Sequence, residues 1–96
     1  MAAYFIADQQ EVNDPETMKA YSTRVAATIE QYGGKFSVRG GDPEILEGDW
    51  PVRRVIILEF KDRTAIKAWY DSPEYAELKA MRLASSRSNA IIVDGV

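Results

Sequence analysis

The sequence predicts an α+β domain whose elements follow the order strand, helix, strand, strand, helix, strand, with four antiparallel strands and the helices on one face. Three observations carry that prediction. Asp14-Pro15-Glu16 and Ser72-Pro73-Glu74 each combine a capping side chain, a proline and an acid, the signature of a helix start. Short aromatic and β-branched runs stand on either side of these helices. Residues 52–60 are apolar on both strand faces, since Ile56, Leu58 and Phe60 alternate with Val55 and Ile57.

Taken in order, residues 2–7 are short, apolar and aromatic, and predict a first strand that ends at the polar run Asp8-Gln9-Gln10-Glu11. A helix then starts at Asp14. Met18, Tyr21, Val25, Ile29 and Tyr32 recur at spacings of three and four and form its apolar stripe, which Gly33-Gly34 terminates. Residues 35–39 alternate, with Phe36 and Val38 on one side and Lys35, Ser37 and Arg39 on the other. Gly40-Gly41-Asp42-Pro43 predicts a bulge or kink, after which residues 44–47 resume the pairing. Gly48-Asp49-Trp50-Pro51 reads as the turn of a hairpin that returns through residues 52–60. Asp62 caps a second helix, which Pro73 splits in two, and Tyr75, Leu78, Met81 and Arg82 line one side of its second piece. Ala90-Ile91-Ile92-Val93 is the last strand. This is the ferredoxin-like βαββαβ pattern, expected as one domain over residues 1–96.

Helices on one face leave the other face of the sheet bare. With Val55 and Ile57 on it, that face predicts a homodimer packed sheet to sheet across a two-fold axis. Hiding several hundred Å² of apolar surface contributes on the order of 10 kcal/mol gross, more than association costs.

Composition removes much chemistry. The 96 residues include no cysteine and no histidine, which excludes disulfides, thiolate nucleophiles, Cys/His zinc sites and triads with an imidazole base. Haem on an axial histidine is disfavoured for the same reason, and no cofactor or metal is expected. The 15 acidic and 12 basic residues are scattered, with no block of one sign suited to a phosphate backbone, so nucleic acid is not an expected partner. The longest apolar run, Val55-Ile56-Ile57-Leu58, is far too short to span a bilayer, and Met1-Ala2-Ala3-Tyr4 does not resemble a signal peptide. A cytoplasmic location is the expectation.

Several linked motifs point to a known family. Tyr32-Gly33-Gly34-Lys35-Phe36-Ser37-Val38-Arg39-Gly40-Gly41, Leu46-Glu47-Gly48-Asp49-Trp50, Arg54-Val55-Ile56-Ile57-Leu58-Glu59-Phe60, Ser72-Pro73-Glu74-Tyr75 and the closing Ile91-Ile92-Val93-Asp94-Gly95-Val96 resemble the bacterial domain-of-unknown-function family 1330 across nearly the whole chain. The resemblance implies the dimeric α/β-barrel superfamily, some of whose members are cofactor-independent enzymes acting on small organic acids and aromatic compounds. It implies no particular chemistry, because fold alone does not transfer activity.

If a ligand binds, the expected place is a cleft between the dimer-side face of the sheet and nearby loops or helices. Arg39 and Glu59 lead the candidates. They read either as an ion pair or two solvated strand ends, or as an anion anchor and a proton acceptor. Trp50, between a turn and a proline, is either a lid over a pocket or a plug at the end of the barrel. Tyr70, Tyr75 and Arg82 gather around the broken helix, where a phenol and a guanidinium could hold a carboxylate or simply pack. The glycine pairs fit neither a P-loop nor a dinucleotide fingerprint. Two readings stay open: a small-molecule binder or cofactor-independent enzyme, and a non-catalytic dimerisation or ligand-sensing module.

Overall fold

The computed structural model describes residues 1–96 and runs β1 (Ala3–Val12), α1 (Pro15–Gln31), β2 (Lys35–Gly40), β3 (Val55–Phe60), α2 (Arg63–Tyr70), α3 (Pro73–Ser85) and β4 (Ser86–Asp94). Each helix begins where a side chain satisfies its free amides. Asp14 accepts from the Thr17 amide at 3.2 Å and from the Thr17 hydroxyl at 2.6 Å. Those bonds hold the Asp14 carboxyl below its ordinary pKa of 3.8. Asp62 accepts from the Ala65 amide at 2.8 Å. Ser72, itself buried, accepts from the Tyr75 amide at 3.1 Å and donates to the Trp69 carbonyl at 2.7 Å, so one hydroxyl closes α2 and opens α3.

The strands form one antiparallel sheet in the order β2-β3-β1-β4. Its register sorts side chains by face. Ala3, Phe5 and Ala7 pair with Phe60, Leu58 and Ile56 on the helix side, whereas Tyr4, Ile6 and Asp8 pair with Glu59, Ile57 and Val55 on the open side. Val25 and Ile29 of α1, Ile66 and Trp69 of α2, and Tyr75 and Leu78 of α3 are buried against the helix side. The architecture is the ferredoxin-like α+β fold, with the second helix divided at Pro73.

Four expectations are corrected. β1 does not stop at Asp8, because β4 pairs with it as far as Val12, past a bulge between Gln9 and Glu11. β4 is correspondingly longer, beginning at Ser86. Residues 44–47 do not resume pairing. Gly40, Gly41 and Asp42 all take positive φ (94°, 69° and 53°) and lead the chain off the sheet edge, so residues 41–54 form a loop and not a hairpin. The fourth correction concerns the phase of β2. Phe36 pairs with Leu58, yet Val38 pairs with Ile57 and Arg39 with Ile56, because Ser37 is the extra residue of a bulge. That one residue reverses the alternation and turns Val38 to the open side and Arg39 to the helix side.

Candidate ligand-binding site

A cavity of about 70 Å³ lies between α1 and the helix side of the sheet. Its place differs from the dimer-side cleft that the sequence suggests. Packing explains the difference. Trp69 fills the space beneath α2 and α3, while β1 contributes only Ala3 and Ala7 on either side of Phe5, and no side chain fills the gap beneath α1. Phe5, Val25, Ile29, Ile56, Leu58 and Trp69 make an apolar wall.

Three guanidinium groups line the same cavity: Arg39, Arg54 and Arg82. Arg39 is aimed there by the β2 bulge; it stacks over the Phe36 ring, 4.4 Å from the centroid, and donates to the Ser22 carbonyl of α1 at 2.8 Å. Arg54 immediately precedes β3 in phase with Ile56 and Leu58, and its carbonyl accepts from the Gln9 amide at 2.8 Å. Its guanidinium occupies space that a side chain at residue 40 would need, since a Cβ on Gly40 would stand 2.9 Å from it. Arg82, on α3, is only 9% exposed and donates through Nε to the Tyr75 hydroxyl at 3.2 Å.

None of these arginines takes part in any of the protein's ion pairs, which join Arg24, Lys35, Arg63, Lys79 and Arg87 to carboxylates elsewhere. The cavity lining contains no Asp, Glu or Lys. In a chain of net charge −3, three cations thus share one pocket without a counter-ion, Arg82 buried and Arg39 and Arg54 exposed at its edge. An anion would supply that counter-ion.

Tyr21 also lines the cavity, and its hydroxyl is 2.8 Å from the Tyr75 hydroxyl. Burial, followed by the neighbouring Tyr75 phenol, drives the Tyr21 pKa far above its ordinary 10.0, against the opposing pull of Arg82 and Arg39. Tyr21 therefore stays a neutral phenol at physiological pH, able to donate a hydrogen bond but a poor base.

Of the six residues singled out from sequence, the fold brings Arg39 and Arg82 to the cavity and places Tyr75 directly behind it. Glu59 faces the open side, 4.0 Å from Lys35, so the Arg39 and Glu59 pair does not form. Tyr70 packs on Phe5 and Trp69 beneath Lys79, on the far side of the aromatic cluster. Trp50 is 62% exposed on the 41–54 loop and neither lids the cavity nor plugs the sheet within the protomer. Arg54 and Tyr21 were missed as site residues. Extending the Ile56, Leu58, Phe60 alternation one step back finds Arg54, whereas Tyr21 sits in the apolar stripe of α1 and carries no separate signal.

Fold and cavity together define a class: a ferredoxin-like α+β domain with an arginine-lined, apolar-walled pocket under its first helix. The chain belongs to the family described as Domain of unknown function (DUF1330), whose model matches residues 2–96, as the linked motifs implied. No curated protein matches it. Among solved structures, the RPA0582 protein of Rhodopseudomonas palustris, of unknown function, is similar at 21% identity over 99% of this chain and 82% of that one, with a TM-score of 0.76. A dimeric ferredoxin-like protein of unknown function from Jannaschia sp. CCS1 is similar at 12% identity over 99% and 100% of the two chains, TM-score 0.77. The cofactor-independent oxygenase SnoaB of Streptomyces nogalater is similar at 18% identity over 99% and 93%, TM-score 0.70. These likenesses establish the shared fold. No helix is long and apolar enough to cross a membrane, and nowhere do three or more acidic side chains gather into a metal-holding cluster.

Proposed function

We propose that the chain acts as one cytoplasmic domain, a homodimer through the open sheet face, and that each protomer binds a small organic anion in the pocket under α1. One observation carries the binding reading: three arginines line an apolar cavity with no acidic partner. Unpaired cations held against apolar walls suit an amphipathic carboxylate, whose oxygens accept from the guanidinium groups while its body displaces water from Phe5, Ile56 and Leu58.

Catalysis is the second reading, and similarity to a cofactor-independent oxygenase favours it. The donors around the pocket would then hold an oxyanion or enolate. Because the lining holds no carboxylate and Tyr21 is a poor base, the substrate would arrive already ionised. Oxygen uptake with acidic phenols or enols, and none with their weakly acidic analogues, is the expected signature.

For the dimer, support comes from the open face. It carries Ile6, Val55 and Ile57, half-buried in the protomer, together with Ile91 at 57% exposure and Val93, both exposed. Ile91→Asp is expected to halve the mass seen by light scattering while the far-ultraviolet spectrum persists. A wild-type chain with the mass of one protomer at micromolar concentration refutes the dimer.

A thermal-shift series of small aliphatic and aromatic carboxylates tests the pocket. A ligand at a hundred times its Kd adds about 2.7 kcal/mol, which raises Tm by roughly 10 °C or more in a domain of this size. Absence of any shift at millimolar concentration across the series removes the binding reading.

A further inference from the structure

Tyr75 is wholly buried and does not line the cavity, yet its hydroxyl stands between the Arg82 Nε, at 3.2 Å, and the Tyr21 hydroxyl, at 2.8 Å. The direction of these bonds follows from counting donors. A guanidinium only donates, so the Tyr75 oxygen accepts from Arg82. The proton on Tyr75 then needs an acceptor, and the Tyr21 oxygen is the only one bonded to that hydroxyl. Were Tyr21 to donate to Tyr75 instead, Tyr75 would bury an unsatisfied proton in the core.

We propose that Tyr75 is a positioning residue: it accepts from Arg82, donates to Tyr21, and thereby turns the Tyr21 proton into the pocket as a donor. The inference rests on the anion-pocket reading and adds to it a rule of selection. Each bond in the chain polarises the next and strengthens the final donor. With Arg39, Arg54 and Arg82 donating as well, the wall beside Tyr21 offers protons and has its phenol oxygen already engaged. Gln9, Ser22 and Ser88 on the same cavity can turn either way and do not impose the choice. A ligand head group that only accepts, such as a carboxylate, fits this wall, whereas an isosteric carboxamide presents N–H groups to donors. Tyr75, which touches no ligand, adds this preference to the one that the arginines' charge imposes.

Benzoate and benzamide are probes of nearly the same shape that differ in the charge and in the donor character of the head group. Titrated into the wild-type chain by calorimetry, benzoate is expected to bind at least about tenfold more tightly than benzamide, in keeping with the cost of leaving site groups unpaired. Tyr75→Phe removes the donor to Tyr21 and frees its oxygen to accept, so the ratio is expected to fall about threefold or more, chiefly through stronger benzamide binding, while the charge preference set by the arginines remains. Tyr21→Phe is expected to weaken benzoate about tenfold. A Tyr75→Phe protein that folds and keeps the wild-type ratio overturns the proposal. Should neither probe bind the wild type, the anion-pocket reading fails with these ligands, and the bond direction is read without any ligand from tyrosine hydroxyl protons in NMR spectra. The Tyr75 hydroxyl proton is expected downfield and protected from exchange in the wild type, and both properties are expected to vanish in Tyr21→Phe, where its acceptor is gone. An unchanged Tyr75 hydroxyl signal in Tyr21→Phe overturns the relay, as does the failure to observe a protected hydroxyl proton in the wild type. The same spectra decide the matter if Tyr75→Phe does not fold.

Discussion

Beneath α2 and α3, Trp69 is ringed by Tyr75 at 4.2 Å, Phe5 at 5.6 Å and Phe60 at 5.8 Å between centroids, and its indole N–H donates to the Thr28 hydroxyl at 3.1 Å. Beneath α1, on the other side of Phe5, the same helix layer leaves a cavity edged by arginines that have no acidic partner. One half of the layer is filled and its polar atoms satisfy one another. The other half is underfilled and has its charges uncompensated. Side chains that answer each other within the protein serve the fold, whereas charges held in place with no opposite charge beside them are available to a ligand. Tyr21, Tyr75 and Arg82 form the seam between the two halves, which is why a core tyrosine bears on the pocket at all.

The contrast is broken most directly from the filled side. Trp69→Ala removes the centre of the aromatic cluster and is expected to cost about 3 to 5 kcal/mol, measured by urea denaturation, because the surrounding rings cannot close the hole. In a domain this small that loss leaves much of the population unfolded. A cost near that of a surface change would mean that the two halves are packed alike.

Gly40→Ala tests the boundary of the pocket. Gly40 has a φ of 94°, and the added methyl would stand 2.9 Å from the Arg54 guanidinium, so a loss of about 1 to 2 kcal/mol is expected from the backbone alone. Displacement of Arg54 is expected to weaken anion binding as well, read from the carboxylate thermal shift. Arg54→Gln sharpens the comparison, since it removes the charge and leaves the backbone alone. Its stability is expected to stay within about 0.5 kcal/mol of wild type, while carboxylate binding falls at least about tenfold. Stability and binding lost in proportion would make Arg54 a structural residue.

The smallest effect belongs to a helix end that serves only the fold. The Asp14 carboxyl, bonded to the Thr17 hydroxyl and amide, titrates below its ordinary 3.8. A carboxyl depressed in the folded state stabilises above its unfolded pKa, and that contribution is lost as pH falls through the folded value. The small stability difference between wild type and Asp14→Ala is therefore expected to hold at neutral pH and to shrink below pH 3.8, in denaturation curves taken across the acid range. Pocket binding at neutral pH is expected to be indifferent to this change.

Much of the fold was legible because its signals are local. Asp14, Asp62 and Ser72 cap the helices at the places their sequence contexts announce, and the apolar faces of residues 55–60 disclosed both a helix side and an uncovered side. Strand ends were misjudged where the partner decides. The run from Asp8 to Glu11 is too polar to read as strand, yet it is strand because β4 supplies its hydrogen bonds. Of the site, Arg39 was legible as a charge among apolar strand neighbours, and Arg82 as a partner of Tyr75 on one face of the broken helix. Glu59 looked equivalent to Arg39 and faces the opposite side.

By itself, then, the chain's sequence determined the order of its elements, the helix starts, the absence of thiol and imidazole chemistry, and a sheet greasy on both faces. Those features depend on residues within a few positions of one another. Tertiary structure alone decided that Ser37 would bulge and turn Arg39 inward, that β4 would draw β1 out to Val12, and that arginines from β2, the approach to β3 and α3 would meet over one cavity. The physical reason is that a strand's facing is relative to its partner. A single unpaired residue inverts every side chain beyond it, and no property of residues 35–40 read in isolation says where that residue falls.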